Sequence, residues 1–225
     1  MAEPLKIDIW SDVACPWCYI GKRRFEAGAA EAGVPVEVEY HSFELSPDTP
    51  VDFEGSAADH LAEKGYPVEA LEGMLKRVTD IAATLDLHYD YDSVKHTNTV
   101  KAHQLLHYAK LRGRQLEMKE RLLSAYFVEG RHVGHVDDLA DLAAEVGLDR
   151  DDVIRSLEAD EHLADVREDQ AVARDFGIQG VPFFVIDRTY GISGAQESAT
   201  FAEALRQVAA EKASEKADAD AGVAP

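Results

Sequence analysis

The sequence predicts an α/β protein whose elements run βαβ, then a block of helices, then ββα. Three observations predict this order. Leu5 to Trp10 (LKIDIW) alternates apolar and polar residues and leads straight into the four residues CPWC. From about Gly55 to Gly177 apolar residues recur at spacings of three and four. After that, VPFFVID and YGISG read as two short strands ahead of a last helical stretch.

Taken in order, the first strand spans Leu5 to Trp10, with Leu5, Ile7 and Ile9 on one face. Pro16 is preorganised for a first helical turn and Gly33 suits a helix end, so the spacing predicts a helix between them. Val34 to Leu45 (VPVEVEYHSFEL) alternates β-branched and aromatic residues and reads as a second strand, which places both cysteines at the turn of a βαβ unit. The helical block divides into LEGMLKRVTDIAATL, NTVKAHQLLHYAKL, RQLEMKERLLSAYF, VDDLADLAAEVGL, DDVIRSL and HLADVREDQAVARDFG, separated by short breaks containing Gly or Asp. An Asp-Arg turn joins the two late strands, and the last helix runs from about Glu197 to Lys212, with Thr200 and Glu203 spaced as a capping box. The end, ASEKADADAGVAP, has little to bury and is expected to fray.

Composition narrows the function classes. Of 225 residues, 46% are hydrophobic and 29% charged, as in soluble globular proteins. With 43 acids against 23 bases the formal charge is -20, which repels nucleic acid and anionic lipid. No apolar run approaches the roughly 20 residues of a membrane span, and MAEPLKIDIW shows no cationic stretch followed by an apolar one, so the expected compartment is the cytoplasm. There a close cysteine pair is a catalytic or metal-binding feature sooner than a structural disulfide.

Cys15 and Cys18 are the chain's two cysteines. At a helix start the first sulfur of a CxxC faces unsatisfied N–H groups and the positive end of the helix dipole, and both favour a thiolate. Cys15 is therefore the candidate nucleophile. Cys18, one turn further in, is placed to attack the resulting mixed disulfide and release the substrate as a thiol. Pro16 and Trp17 between them offer a contact surface to a substrate. A zinc site would need two more ligands, which only distant histidines could supply, since there is no second CxxC. Two bystander thiols are the plainest alternative. Far along the chain, Val181-Pro182 opens a strand with a residue that cannot donate to a ladder, a step that suits a cis bond and an edge used for binding.

CPWC after the first strand, the helical block, TNTVKAHQLLHYA, AYFVEG, GVPFFVID and ISGAQ together resemble the DsbA family of thioredoxin-fold oxidoreductases. The likeness is greatest to its FrnE-like branch, related to 2-hydroxychromene-2-carboxylate isomerases and kappa-class glutathione transferases, and covers about Leu5 to Gln207. The resemblance implies a thioredoxin fold interrupted by a large all-helical insertion. Residues 1–48 and 166–212 would form the two halves, 49–165 the insertion and 213–225 a disordered tail. It implies Cys15 as nucleophile, Cys18 as resolving cysteine and Val181-Pro182 as the cis-proline loop, with the Val181 backbone offering hydrogen bonds to an extended substrate. Asp8 would match the buried acid that relays the Cys18 proton in some members, after a one-residue shift, although a mid-strand Asp is equally read as ion-paired. Asn98 resembles a position near the glutathione site of the isomerases, and helix capping accounts for it as well.

The function so implied is disulfide exchange with a disulfide-containing protein or a small-molecule thiol, by a monomer or homodimer, with glutathione as the cosubstrate to consider and no metal. The branch's association with aromatic polyketide assembly keeps a small molecule among the substrates. Cytosolic glutathione is poised at roughly -220 to -320 mV, so an enzyme near the DsbA value of about -120 mV would be held as a dithiol and would reduce or shuffle disulfides. A glutathione-dependent isomerase and a noncatalytic chaperone-like module are the alternatives. His103 and His107, four apart on a helix, could share a metal but read better as solvated or core-edge residues, and His132 and His135, beside glycines, read likewise. Tyr126 and Phe127 read as core.

Overall fold

The structure is a computed structural model that describes residues 3–221. Strand β1 (Leu5–Ser11) lies between β2 (Val36–Ser42), parallel to it, and β3 (Phe183–Ile186), antiparallel. Strand β4 (Tyr190–Ser193) completes the order β2-β1-β3-β4. The βαβ and ββα halves thus share one sheet, as a thioredoxin fold does, and the helices between them form the insertion. In register, Ile9 stands opposite Tyr40 on one side and Phe184 on the other.

Alternation along β1 divides the core. Leu5, Ile7 and Ile9 pack with Phe25, Phe184 and Phe201 beneath helices α1 (Pro16–Ala32) and α9 (Ser198–Ala221). Trp10 and Val185 point to the opposite face, where they meet Ala173 and Ile178 around helix α8 (Leu163–Asp175). Helix α1 begins with Pro16 and ends at Gly33, which adopts φ 65° and returns its N–H to the Ala29 carbonyl, a left-handed cap that glycine takes without a Cβ penalty.

The remaining helices are α2 (Ala57–Glu63), α3 (Val68–Ala83), α4 (Val100–Lys110), α5 (Gln115–Phe127), α6 (Val136–Glu145) and α7 (Arg150–Glu158). Their core, centred on Leu105, Met118, Leu122 and Phe127, also takes in Val13, Tyr19 and Ile20. The segment that carries the cysteines is therefore packed into both cores. Fully burying Ile20 alone is worth about 1.5–3 kcal/mol.

Several expectations need correction. β2 is shorter than Val34 to Leu45, because the chain leaves the sheet after Ser42 and the Leu45 N–H donates to Asp12. α2 was absent from the expected helices, although Ser56 and Asp59 form its capping box. The 165/166 boundary falls inside α8, a continuous helix that packs on both α4 and β2. Thr200 is inside α9 rather than capping it, since the Glu197 carbonyl already accepts from the Thr200 and Phe201 N–H groups. α9 also continues past Lys212 to Ala221, where a frayed tail was expected; its Ala-, Glu- and Lys-rich stretch has high intrinsic helix propensity. The rest of that tail, 222–225, lies outside the described residues.

The Asp-Arg turn between β3 and β4 is as expected. Asp187 and Arg188 have φ of 52° and 61°, the two positive values that a tight type I′ hairpin needs.

Candidate active site

The cysteines sit where three elements converge. Cys15 is the residue before α1, in extended conformation, and the Cys18 N–H donates to its carbonyl at 3.0 Å. The Cys15 thiol lies 3.5 Å from the Val181 carbonyl oxygen in the loop before β3, and the Val181–Pro182 peptide is cis. The loop can approach this closely because residue 21 is glycine: a Cβ there would stand 2.8 Å from Pro182 Cγ. Trp17 is 37% exposed on the first turn, and the Pro16 carbonyl accepts from the Tyr89 hydroxyl at 2.7 Å.

Both cysteines are buried and not joined to each other. The Cys15 thiol is pushed well above its ordinary range, first by the hydrogen bond it makes with Cys18, then by burial and by the charges of Cys18 and Asp12. For Cys18 burial acts the same way, yet the Cys15 hydrogen bond, the Lys119 ammonium, the Ser11 hydroxyl and the Asp12 backbone N–H outweigh it and lower the thiol. The pair thus loses one proton readily and holds the second. The expectation was an ionised Cys15; in the resting pair the groups that favour a thiolate gather on the Cys18 side, where the positive charge comes from Lys119 on α5.

Asp12 holds this turn in place. Its carboxylate is fully buried and accepts from the Leu45 N–H at 2.8 Å, the Ala14 N–H at 3.3 Å and His103 Nε2 at 3.3 Å. Burial would raise its pKa, but His103 and the Leu45 N–H keep it below the ordinary carboxylate range. Sequence reading passed over Asp12 and missed Lys119. An Asp three residues before the first cysteine of a helix-starting CxxC was the available signal for the first, and a lysine among the apolar residues of α5 for the second.

A cleft of about 400 Å³ opens beside Cys15, lined by Ala14, Pro16, Leu45, Leu61, Lys64 and the His60–His96 pair, among others. The two imidazoles lie 3.7 Å apart. Burial and the neighbouring His60 hold His96 down at about 4, and burial and Lys64 lower His60. Neither histidine was singled out from the sequence.

Other expected residues stand elsewhere. Asp8 projects from the α8 face of β1, opposite the face covered by α1, and bonds His41 Nε2 at 2.9 Å. It cannot relay a proton to Cys18. Asn98 spends its side chain on the Pro47 carbonyl at 2.9 Å and the Val100 N–H at 2.9 Å, next to the start of α4. His103 and His107 are buried rather than solvated, because α4 is enclosed by its neighbours. They face different partners: Asp12 for His103, and Ser42 and Asp169 for His107. Tyr126 and Phe127 are buried core residues.

Among the described residues, two groups have ligand atoms close enough together for a metal ion, Asp8-Glu39-His41 and Asp52-His132-His135. In the first, both His41 nitrogens are shared with Asp169 and Asp8. In the second, both His135 nitrogens face Asp52 and Asp138, and its ring is stacked on His132 with planes 11° apart, so their lone pairs do not converge.

A split thioredoxin sheet carrying a dithiol at the start of its first helix, faced by a cis-proline loop, defines the thioredoxin-fold oxidoreductase class. The chain belongs to the DSBA-like thioredoxin domain family, whose profile matches residues 6–206. It is 32% identical over 203 residues to the uncharacterized protein YwbO of Bacillus subtilis (strain 168), spanning 88% of this chain and 94% of that one. The crystal structure of a probable DsbA oxidoreductase from Streptomyces coelicolor shares 38% identity and a TM-score of 0.82, over 90% of this chain and 89% of the other. The cytosolic disulfide reductase DsbM of Pseudomonas aeruginosa, solved with GSH, shares the fold at 18% identity and TM-score 0.64, over 90% and 98%. Among the described residues no helix is long and apolar enough to cross a membrane.

Proposed function

We propose that the protein is a thiol–disulfide oxidoreductase that reduces or isomerises disulfides of protein or small-molecule substrates through Cys15 and Cys18. The observation that carries this reading is the pair itself: two buried thiols at the start of α1, hydrogen-bonded so that one proton leaves more readily than the other, with the Val181 carbonyl 3.5 Å from Cys15 and an open cleft alongside.

As the shared proton passes to Cys18, the Cys15 thiolate attacks one sulfur of the substrate disulfide. A mixed disulfide forms and one substrate half leaves as a thiolate. Cys18 then loses its proton and attacks the Cys15 sulfur, so the Cys15–Cys18 bond forms and the second half departs. Two electrons pass from the cysteine pair to the two product sulfurs; Cys18 gives up one proton, and the other, released when the pair ionised, returns from solvent. Two molecules of a small thiol such as glutathione restore the dithiol and become its disulfide. Membership of a family with cytosolic reductases such as DsbM supports a reducing direction and a cytoplasmic setting.

The test is insulin reduction followed by turbidity with glutathione as reductant. The wild type accelerates precipitation, and Cys15→Ser gives the uncatalysed rate. Undiminished activity in that variant rejects the reading.

A further inference from the structure

Lys119 is among the largest of the fully buried side chains, and its Nζ has no hydrogen-bond partner. The nearest ring is Tyr40 on β2, whose centroid is 5.4 Å away. The next residue, Glu120, is fastened to α1 by the Tyr19 hydroxyl at 2.6 Å, Lys22 at 2.6 Å and Arg23 at 2.5 Å. Glu120 thereby ties α5 to the first turns of α1, the helix that begins at the cysteines. A buried ammonium without a partner is strongly unfavourable unless an anion faces it.

The candidates are few. The charged and titratable groups around Lys119 are the Cys18 and Cys15 thiols, the Asp12 carboxylate and, repelling it, Lys22, with Tyr40 beside it and His103 behind Asp12. Asp12 is already committed to three donors. The sulfurs are the neighbours of Lys119 whose charge changes with redox state, whereas the charge of Asp12 does not.

We propose that Lys119 is a positioning residue for disulfide exchange: its ammonium is the counter-charge for the thiolate of the Cys15–Cys18 pair and so favours the dithiol over the disulfide. This rests on the reading that the pair cycles. In the equilibrium, protein disulfide plus two glutathione thiols gives protein dithiol plus glutathione disulfide. One sulfur of the dithiol is ionised against Lys119, whereas neither sulfur of the disulfide carries charge. Oxidation therefore removes that charge and leaves Lys119 with Asp12 alone. Burial already holds the amine down at about 8, with Cys18, Asp12 and Cys15 pulling it back up.

Lys119→Met removes the charge and keeps an apolar chain of similar reach. In glutathione redox buffers the variant should favour the disulfide about tenfold more than the wild type, equal to about 30 mV toward more reducing. Its first thiol ionisation, followed by thiolate absorbance, should move to higher pH. A merely structural lysine would change the melting temperature of both redox forms equally and leave both quantities where they were. A folded Lys119→Met with an unchanged equilibrium constant and unchanged thiol titration overturns the proposal.

If the variant does not fold, the wild type decides. The Lys119 side-chain NMR signal should titrate at lower pH in the disulfide form than in the dithiol form, and equal midpoints reject the proposal. A wild type that forms no disulfide in any redox buffer sinks the exchange reading itself. One that cycles normally while Lys119→Met shows no shift sinks only the role of Lys119.

Discussion

The Cys15 sulfur lies 3.5 Å from the carbonyl oxygen of Val181, 166 residues further along the chain. The contact joins the first helix of the βαβ half to the loop that opens the ββα half, so the dithiol sits on the seam between them. In the proposed exchange cycle a substrate half bound to Cys15 would be held at that seam until Cys18 displaces it.

Replacing Cys18 with alanine should therefore arrest exchange at the mixed disulfide. Incubated with oxidised glutathione, Cys18→Ala should retain one glutathione per chain on Cys15, visible by intact mass and removed by a strong reductant. The wild type should go on to its internal disulfide. A variant that carries no adduct would show that Cys15 is not the attacking sulfur.

Two helical glycines make opposite predictions. In α1 a Cβ on Gly21 would lie 2.8 Å from Pro182 Cγ, against a rigid ring that cannot swing aside. The alanine gains about 1 kcal/mol of helix propensity, but overpacking costs about 1–3 kcal/mol and pushes the loop away from Cys15. Gly21→Ala should lower both the melting temperature and the insulin-reduction rate. In α3 nothing lies within 4 Å of the corresponding point on Gly73, so Gly73→Ala should stabilise by roughly the propensity gain and leave the rate unchanged. Gly21→Ala with full activity would show that the close approach to Pro182 does not set the site.

Much of this was legible in the residues because it depends on local pattern. Strand alternation at Leu5 to Trp10, Pro16 and Gly33 at the ends of α1, and the Asp-Arg turn each follow from nearest-neighbour chemistry, and so does the pairing of two cysteines at a helix start. What depends on the packing of distant segments was not legible. The lowering of Cys18 comes from the hydrogen bond with Cys15 working against burial, with help from Lys119, which is supplied from α5. The direction Asp8 faces follows from which side of the sheet α1 covers, and the cleft takes His60 and His96 from segments that meet only in the folded chain. α2 is different: Ser56 and Asp59 were a readable cap, masked by a run too short to show helical periodicity.

Asp12 should be the most sensitive acid near the site. Its three accepted hydrogen bonds tie the cysteine turn to Leu45 and to His103 on α4, all away from water. Truncation leaves His103 buried without its partner, and breaking a buried pair costs on the order of 3–5 kcal/mol. Asp12→Ala should lose that much in chemical denaturation. Because the Asp12 pKa is depressed in the folded state, its contribution is present above the ordinary 3.8 and disappears as pH falls through the folded value. The variant should accordingly lose less stability on acidification than the wild type, and parallel acid profiles would refute this account of the carboxylate.

His41 governs the alkaline side. Its ring stacks on Trp10 with centroids 4.6 Å apart and is bracketed by Asp169 at 2.7 Å and Asp8 at 2.9 Å, which ties β1 and β2 to α8. Burial alone would depress this imidazole, but the hydrogen bonds and charges of Asp169 and Asp8 raise it from 6.5 to about 9. A raised histidine stabilises fully below its unfolded value, so this contribution is intact below about 6.5 and is lost as pH climbs through about 9. The difference corresponds to on the order of 3 kcal/mol. The two carboxylates have the opposite sign: both are depressed, so their share is present above 3.8 and lost in acid. Urea midpoints of the wild type should therefore fall between pH 6 and pH 9. His41→Gln should be clearly less stable than the wild type at pH 6 and close to it at pH 9. A constant difference across that range would mean that the imidazolium is not what holds α8 against the sheet.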